Sequence, residues 1–433
     1  MDISEIHQLF LTSTGINTDT RTLQQGNLFF ALSGDNFNGN TYASKAIERG
    51  ASYAIVDDSQ FYDEHDYRYI LVENTLQTLQ NLATYHRSYL DLPIIALTGS
   101  NGKTTTKELI AAVLSQSYQV VATKGNLNNH IGVPLTLLSM DRNTEIGIVE
   151  MGANHQKEIE FLCSIAQPDY GYITNIGKAH LEGFGGIEGV LKGKTELYQY
   201  LRSNKKLVFI NTDDKKLLKK TENIRKFSFT TQSVDADVKV KSNSDSEYVG
   251  ISFQDQNIKT QLVGDYNITN IACAIAIGTY FKVSPEKIKE GIENYIPNNN
   301  RSQIIKTDDR TILLDAYNAN PSSMKAALDN FERMSFKTKL VVLGDMFELG
   351  EESTAEHKEI VAYAEKKEFT TILLIGEHFS TTTPETSSTV KVKNTENARP
   401  IFEKLMVKHE GILLKGSRGM QLEKLMRPIL REN

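Results

Sequence analysis

From about residue 94 onward, unbroken apolar runs of four to six residues alternate with segments of helical period. A strand covered on both faces reads as such a run, whereas a half-exposed strand alternates. Runs at 94–98, 146–150, 170–175 and 207–210 therefore predict a mostly parallel sheet with helices between its strands. After residue 226 the texture becomes alternating, as in Tyr248-Val249-Gly250-Ile251-Ser252-Phe253, which predicts an antiparallel flank before a helix over 267–280. Four further apolar runs, at 311–314, 340–343, 371–375 and 412–414, alternate with helical patterns and predict a doubly wound, Rossmann-like sheet. Upstream the elements are short and mixed: a strand over 27–32, a helix over 42–50, a strand over 53–56 and a helix over 75–89. Asp91-Leu92-Pro93 and Pro297-Asn298-Asn299-Asn300 read as punctuation. The α/β chain thus divides into a small mixed unit over 1–88, a central P-loop-type unit over 89–300 and a third unit over 301–433. A length of 433 residues suits about three domains.

Composition narrows the partners. A net charge of −6 gives no basic field for nucleic acid. No apolar run approaches the ~18 residues of a membrane span, and the acidic start Met1-Asp2-Ile3-Ser4-Glu5 lacks the basic and apolar regions of a secretion signal. Cys163 and Cys273 lie in apolar stretches and read as buried thiols in a reducing compartment. The expectation is a cytoplasmic monomer acting on small molecules.

The chemistry concentrates at Thr98-Gly99-Ser100-Asn101-Gly102-Lys103-Thr104-Thr105, between an apolar strand and a helical pattern. A strand, a glycine turn and a helix N-terminus in that order aim backbone N–H groups and the helix dipole at one anion. Lys103 can reach terminal phosphates and the Thr104 hydroxyl can meet Mg²⁺. Two residues separate the glycines where the usual loop has four. Glu150 ends the strand over 146–150, where a magnesium-organising carboxylate belongs beside a phosphate loop; without that loop it would read as a solvated strand end. His180 lies on a glycine-rich loop after the next strand and could ligate metal. A helix over 187–201 carries Lys192, Lys194 and Glu196, which composition alone reads as a solvated face. In the third unit, strands end in Asp315-Ala316-Tyr317-Asn318-Ala319-Asn320, Gly344-Asp345, Gly376-Glu377 and Lys415-Gly416-Ser417-Arg418, and open α/β sheets bind ligands at such ends.

Taken together, 98–107, 125–138, Glu150-Met151-Gly152-Ala153 and 174–198 resemble the Mur ligases over essentially the whole chain. Segments 315–324 and 344–350 resemble the branch that adds D-alanyl-D-alanine to a UDP-N-acetylmuramoyl-tripeptide. The resemblance implies a UDP-sugar-binding domain, an ATPase domain and a closing C-terminal domain that receives the dipeptide. It implies acyl-phosphate formation from ATP, then amide formation, in peptidoglycan synthesis. It also implies two Mg²⁺ ions, one at Thr104 and Glu150 and one at His180. Lys194 takes the place of a carbamylated lysine, with Lys192 as the alternative register. Gly99, Ser100, Asn101, Gly102, Lys103, Thr104, Thr105, Asn267, Asn270, Arg301 and Asp315 are the implied ATP contacts. Asp19, Thr20, Arg21, Gly34, Asn128, Asn129, Asn318 and Asn320 are the implied substrate contacts. Asn38-Gly39-Asn40 departs from the family's Asp-Gly-His. Two rivals remain at this stage: a sister ligase with another acceptor, and a nucleotide-driven switch without acyl transfer.

Overall fold

Buried, β-branched and aromatic runs give the central sheet its seven strands, ordered Val238–Lys239, Arg225–Thr230, Leu207–Asn211, Tyr170–Ile173, Ile94–Thr98, Ile146–Glu150 and Val120–Ala122. Every adjacent pair is parallel. The computed structural model describes residues 1–232, 235–243, 248–297, 301–307 and 309–426. The chain leaves Ile94–Thr98 to build one side of the sheet, then returns to build the other, so the strand order reverses at Thr98. Such a reversal opens a crevice at the strand's carboxyl end.

The predicted runs at 94–98 and 146–150 match their strands, and that at 170–175 ends as a strand at Ile173. The region after 226 differs from its reading. Arg225–Thr230 and Val238–Lys239 extend the parallel sheet, and antiparallel pairing begins only at Lys241–Ser242. Arg225–Thr230 runs from exposed to buried near the sheet edge, so it lacks the continuous apolar signature. The antiparallel strands Lys241–Ser242, Tyr248–Phe253 and Gln256–Val263 form a separate sheet.

Four parallel strands, Ile16–Asn17, Leu28–Phe30, Tyr53–Val56 and Tyr69–Leu71, form the N-terminal sheet. The third sheet runs Gln303–Lys306, Thr311–Asp315, Gly411–Lys415, Lys339–Gly344, Thr371–Ile375, Thr389–Val392, and only its first pair is antiparallel. Of the punctuation read at 297–300, residues 298–300 lie outside the described residues. Among the described residues no helix is long and apolar enough to cross a membrane, and Cys163 and Cys273 are both free and buried.

One break matters for the site. The helix read over 187–201 is two, Ile187–Lys194 and Glu196–Ser203. The Thr195 hydroxyl donates back to Leu191 O at 2.8 Å and Lys192 O at 3.1 Å, a competition with the helical ladder that bends helices.

The central core includes Phe209, fully buried and ringed by Tyr170, Phe227 and Tyr280 with centroids 5.4–6.3 Å away. Phe209→Ala should cost about 3–5 kcal/mol, read from urea unfolding followed by circular dichroism.

Candidate functional site

The loop after Thr98 needs its glycines. Gly99 sits at φ +143° with Thr174 Oγ1 only 2.0 Å from where a Cβ would stand, and Gly102 sits at φ +78° with Asn270 Oδ1 at 2.8 Å. The neighbouring strand's exit loop fixes the turn. Ser100 Oγ donates to Gly177 O at 3.1 Å and accepts from Gly177 N at 2.9 Å. Asn101 N donates to Asn175 Oδ1 at 3.0 Å, while Thr174 Oγ1 donates to Asn101 O at 2.6 Å. The helix Lys103–Leu114 then begins, with its N-terminus at the crevice.

Around this turn the charges are crowded and buried. Lys103 Nζ folds back to donate to Gly99 O at 2.7 Å. Burial lowers its pKa, with Glu150 pulling the other way. Glu150 is 1% exposed; its Oε2 accepts from Thr104 Oγ1 at 2.9 Å and its Oε1 from Asn128 Nδ2 at 2.9 Å. Lys107 Nζ stands 3.8 Å from the same carboxylate. Lys194 is also 1% exposed, its Nζ donating to Ala153 O at 3.0 Å and lying over the Phe184 ring. Burial first, and the Lys103 cation second, hold its amine well below the usual lysine range. Lys192 is exposed, so of the two registers only Lys194 is inside.

His180 stands at φ +53° with Nδ1 against the Glu348 carboxylate of the third unit, an ion-pair contact without aligned hydrogen-bond geometry. His180 and Glu150 share the cavity without meeting: among the described residues no three His, Cys, Asp or Glu side chains converge as a ready-made metal cage.

The third unit closes the crevice. Asn320 Nδ2 donates to Asn101 Oδ1 at 2.7 Å while its Oδ1 caps the helix Pro321–Arg333 through Ser323 N at 2.9 Å. Arg301 stacks on Tyr317 at 3.6 Å, with Arg418 also over that ring at 5.0 Å. Lys415, 2% exposed, pairs with Asp315 at 2.7 Å. On the central side, Thr106 Oγ1 donates to Asn270 Oδ1 at 3.0 Å and Asn270 Nδ2 to Asn267 Oδ1 at 2.9 Å. The result is a cavity of about 870 Å³ that Ser100, Asn101, Gly102, Lys103, Thr104, Thr105, Asn128, Asn129, Glu150, His180, Asn267, Asn270, Arg301, Asp315 and Asn318 all line. Two of these carry local structural work: Asn129 Oδ1 accepts from Ile131 N and Gly132 N, and Asn318 Oδ1 from Ala319 N. Tyr317 and Lys415 line it too, residues the strand-end pattern flagged without a role.

The N-terminal residues lie elsewhere. Asp19 and Arg21 form an exposed bidentate pair beside buried Thr20, outside this cavity. Gly34 lines a second hollow of about 780 Å³ with Asn38, Asn40 and Asp57. Asn40, 2% exposed, donates to Asp57 Oδ1 at 2.8 Å and accepts from Asp57 N at 3.0 Å; Asp57 Oδ2 in turn accepts from Thr75 N and Thr75 Oγ1.

Comparison with known proteins finds three family descriptions in chain order: "Mur ligase family, catalytic domain" over 12–87, "Mur ligase middle domain" over 97–278, and "Mur ligase, glutamate ligase domain" over 300–418. The chain is 36% identical to the UDP-N-acetylmuramoyl-tripeptide–D-alanyl-D-alanine ligase of Bacillus subtilis, covering 96% of this chain and 93% of that protein. It is 32% identical to the enzyme of that name from Escherichia coli, covering 99% and 96%. A crystal structure of MurF from Acinetobacter baumannii superposes with a TM-score of 0.86 at 28% identity, covering 98% of each chain. The chain belongs to the Mur ligase family.

In this Mur ligase, the amide at position 40 fills both of its roles on one aspartate, so the departure from Asp-Gly-His leaves no unsatisfied group there. The phosphate loop is the more sensitive place. Gly102→Ala adds a Cβ into Asn270 at a left-handed backbone position. Strain of about 1–3 kcal/mol at such a position should weaken binding of a non-hydrolysable ATP analogue by about tenfold or more, measured calorimetrically.

Proposed function

We infer that this chain is an ATP-dependent ligase that joins D-alanyl-D-alanine to UDP-N-acetylmuramoyl-tripeptide. It releases ADP and phosphate and yields the UDP-linked pentapeptide used in peptidoglycan synthesis. The observation that carries this reading is one cavity lined by a phosphate loop, the buried Glu150 carboxylate and the strand ends of a third unit, with the buried Lys194 amine held at its wall through Ala153.

The chemistry brings anions together. A terminal peptide carboxylate oxygen attacks the γ-phosphorus of ATP and the bond to the β-phosphate oxygen breaks. The acyl phosphate meets the neutral amine of the dipeptide, and the tetrahedral adduct expels phosphate as the amide forms. Lys103, the loop N–H groups from Gly99 to Thr105 and the amino end of Lys103–Leu114 neutralise the phosphates. Asn267 and Asn270 face the base side, and Arg301 and Asp315 the nucleotide from the third unit. Asn128, Asn129, Asn318 and Asn320 serve the peptide and dipeptide. Asp19, Thr20, Arg21 and Gly34 serve the UDP end.

Magnesium fits the hard oxygen donors of Thr104 and Glu150, which would hold one ion with phosphate oxygens; His180 would offer an imidazole nitrogen to a second, and both would supply charge neutralisation. A carbamate fits Lys194, because a lysine held below its usual pKa is a better nucleophile toward CO₂ and would exchange a buried cation for an anion. We assign 1–88 to the UDP-sugar, 89–300 to ATP and 301–433 to closure and the acceptor. We read the enzyme as a monomer, and its nucleotide substrates favour a cytoplasmic one.

Phosphate release from ATP, Mg²⁺ and the UDP-linked tripeptide should require D-alanyl-D-alanine among a panel of amino acids and dipeptides; acceptor-independent ADP formation would instead indicate a switch. Removing dissolved CO₂ should lower the rate, and bicarbonate should restore it. ¹³C-bicarbonate should give a carbamate resonance that Lys194→Met abolishes and Lys192→Met keeps.

A further inference from the structure

The loop 345–350 is closely anchored beside the cavity, yet the mechanism above gives it no task. It leaves the strand Lys339–Gly344 and is pinned at its first three residues. Asp345, 2% exposed, accepts from His378 N and Phe379 N, each at 2.9 Å. Met346 N donates to His357 Nε2 at 3.1 Å, and Phe347 N to Ser417 Oγ at 3.1 Å. Three anchors in a row deliver Glu348, which takes φ +62°, a conformation L-residues rarely adopt.

Across the boundary stands a second such residue. His180 takes φ +53°, and its Nδ1 meets the Glu348 carboxylate. The loops touch again where a Cβ on Gly350 would lie 3.1 Å from Glu182 Cβ. Lys178 supports the same docking, pairing with Glu356 and donating its backbone N–H to Ser322 Oγ at 3.3 Å. Left-handed side-chain-bearing residues persist where surrounding structure over-determines them, and they cluster at functional sites.

We propose that Glu348 is a positioning residue for His180: the third unit carries the carboxylate against which the ring of a histidine in the central unit is set. The carboxylate sets the orientation of the ring from across the boundary. The central loop is therefore complete only when the third unit is docked. This inference rests on the ligase reading.

Glu348→Ala and Glu348→Gln should lower kcat about 10–100-fold, with the KM for ATP within about twofold of wild type; Glu348→Asp should recover part of the loss. In a His180→Ala background, Glu348→Ala should add nothing, because the two side chains act as one unit. In ¹⁵N-histidine-labelled protein, the His180 ring resonances should shift in Glu348→Gln while those of the other histidines stay in place. That spectrum needs no turnover, so it stands apart from a wild-type enzyme that fails with D-alanyl-D-alanine, which would sink the ligase reading instead. An unchanged kcat, a full further loss in the His180→Ala background, or unmoved His180 resonances would overturn the proposal.

Discussion

The phosphate turn is held by its neighbour, not by itself. Ser100, Asn101 and Gly99 are tied to Thr174, Asn175 and Gly177 by hydrogen bonds and by a contact that excludes any side chain at position 99. Two parallel strands carry these loops side by side, so the sheet register sets the geometry of the turn. His180 follows on the same exit loop, and Asn101 is in turn the point that Asn320 reaches from the third unit. The nucleotide site, the candidate metal side chain and the domain contact thus share one polar knot.

That knot sits among cations that have little water to share. Lys103, Lys107 and Lys194 converge, with one buried carboxylate, Glu150, directly beside Lys107. Buried cations beside a cavity favour anionic ligands in it, since buried charge is tolerated only when paired. ATP and a peptide carboxylate are ligands of that kind.

Much of the fold was legible because parallel strands buried on both faces leave continuous apolar runs. Ile94–Thr98, Ile146–Glu150 and Thr371–Ile375 have the bounds that their residues suggest. Arg225–Thr230 was not legible as parallel, since a strand next to the edge with exposed residues looks like an antiparallel one. At the site, a glycine turn between strand and helix announces itself locally. The resemblance alone favoured Lys194 over Lys192; which face of the helix is buried, the physical ground for that choice, has no signal in two lysines two positions apart. Glu348 lay in a segment the resemblance singled out, but its contact was not legible: its partner lies in a different unit, and no local pattern encodes such a meeting. The family resemblance carried the adenine-side and uridine-side assignments, which no periodicity in this chain would have suggested.

The interruption at Thr195 sends adjacent functional groups to different destinations. Lys194 turns inward, while the Glu196 carboxylate accepts from Lys157 N at 2.6 Å and Glu160 N at 3.1 Å, capping the helix Glu158–Ala166. Each helical residue advances the side-chain direction by roughly 100°. Gaining or losing a single residue between 187 and 203 would therefore swing the amine away from Ala153 at the cavity wall and uncap the facing helix together. Chain length in this stretch is under tighter constraint than the identity of most of its side chains, and alignment gaps among relatives should avoid it.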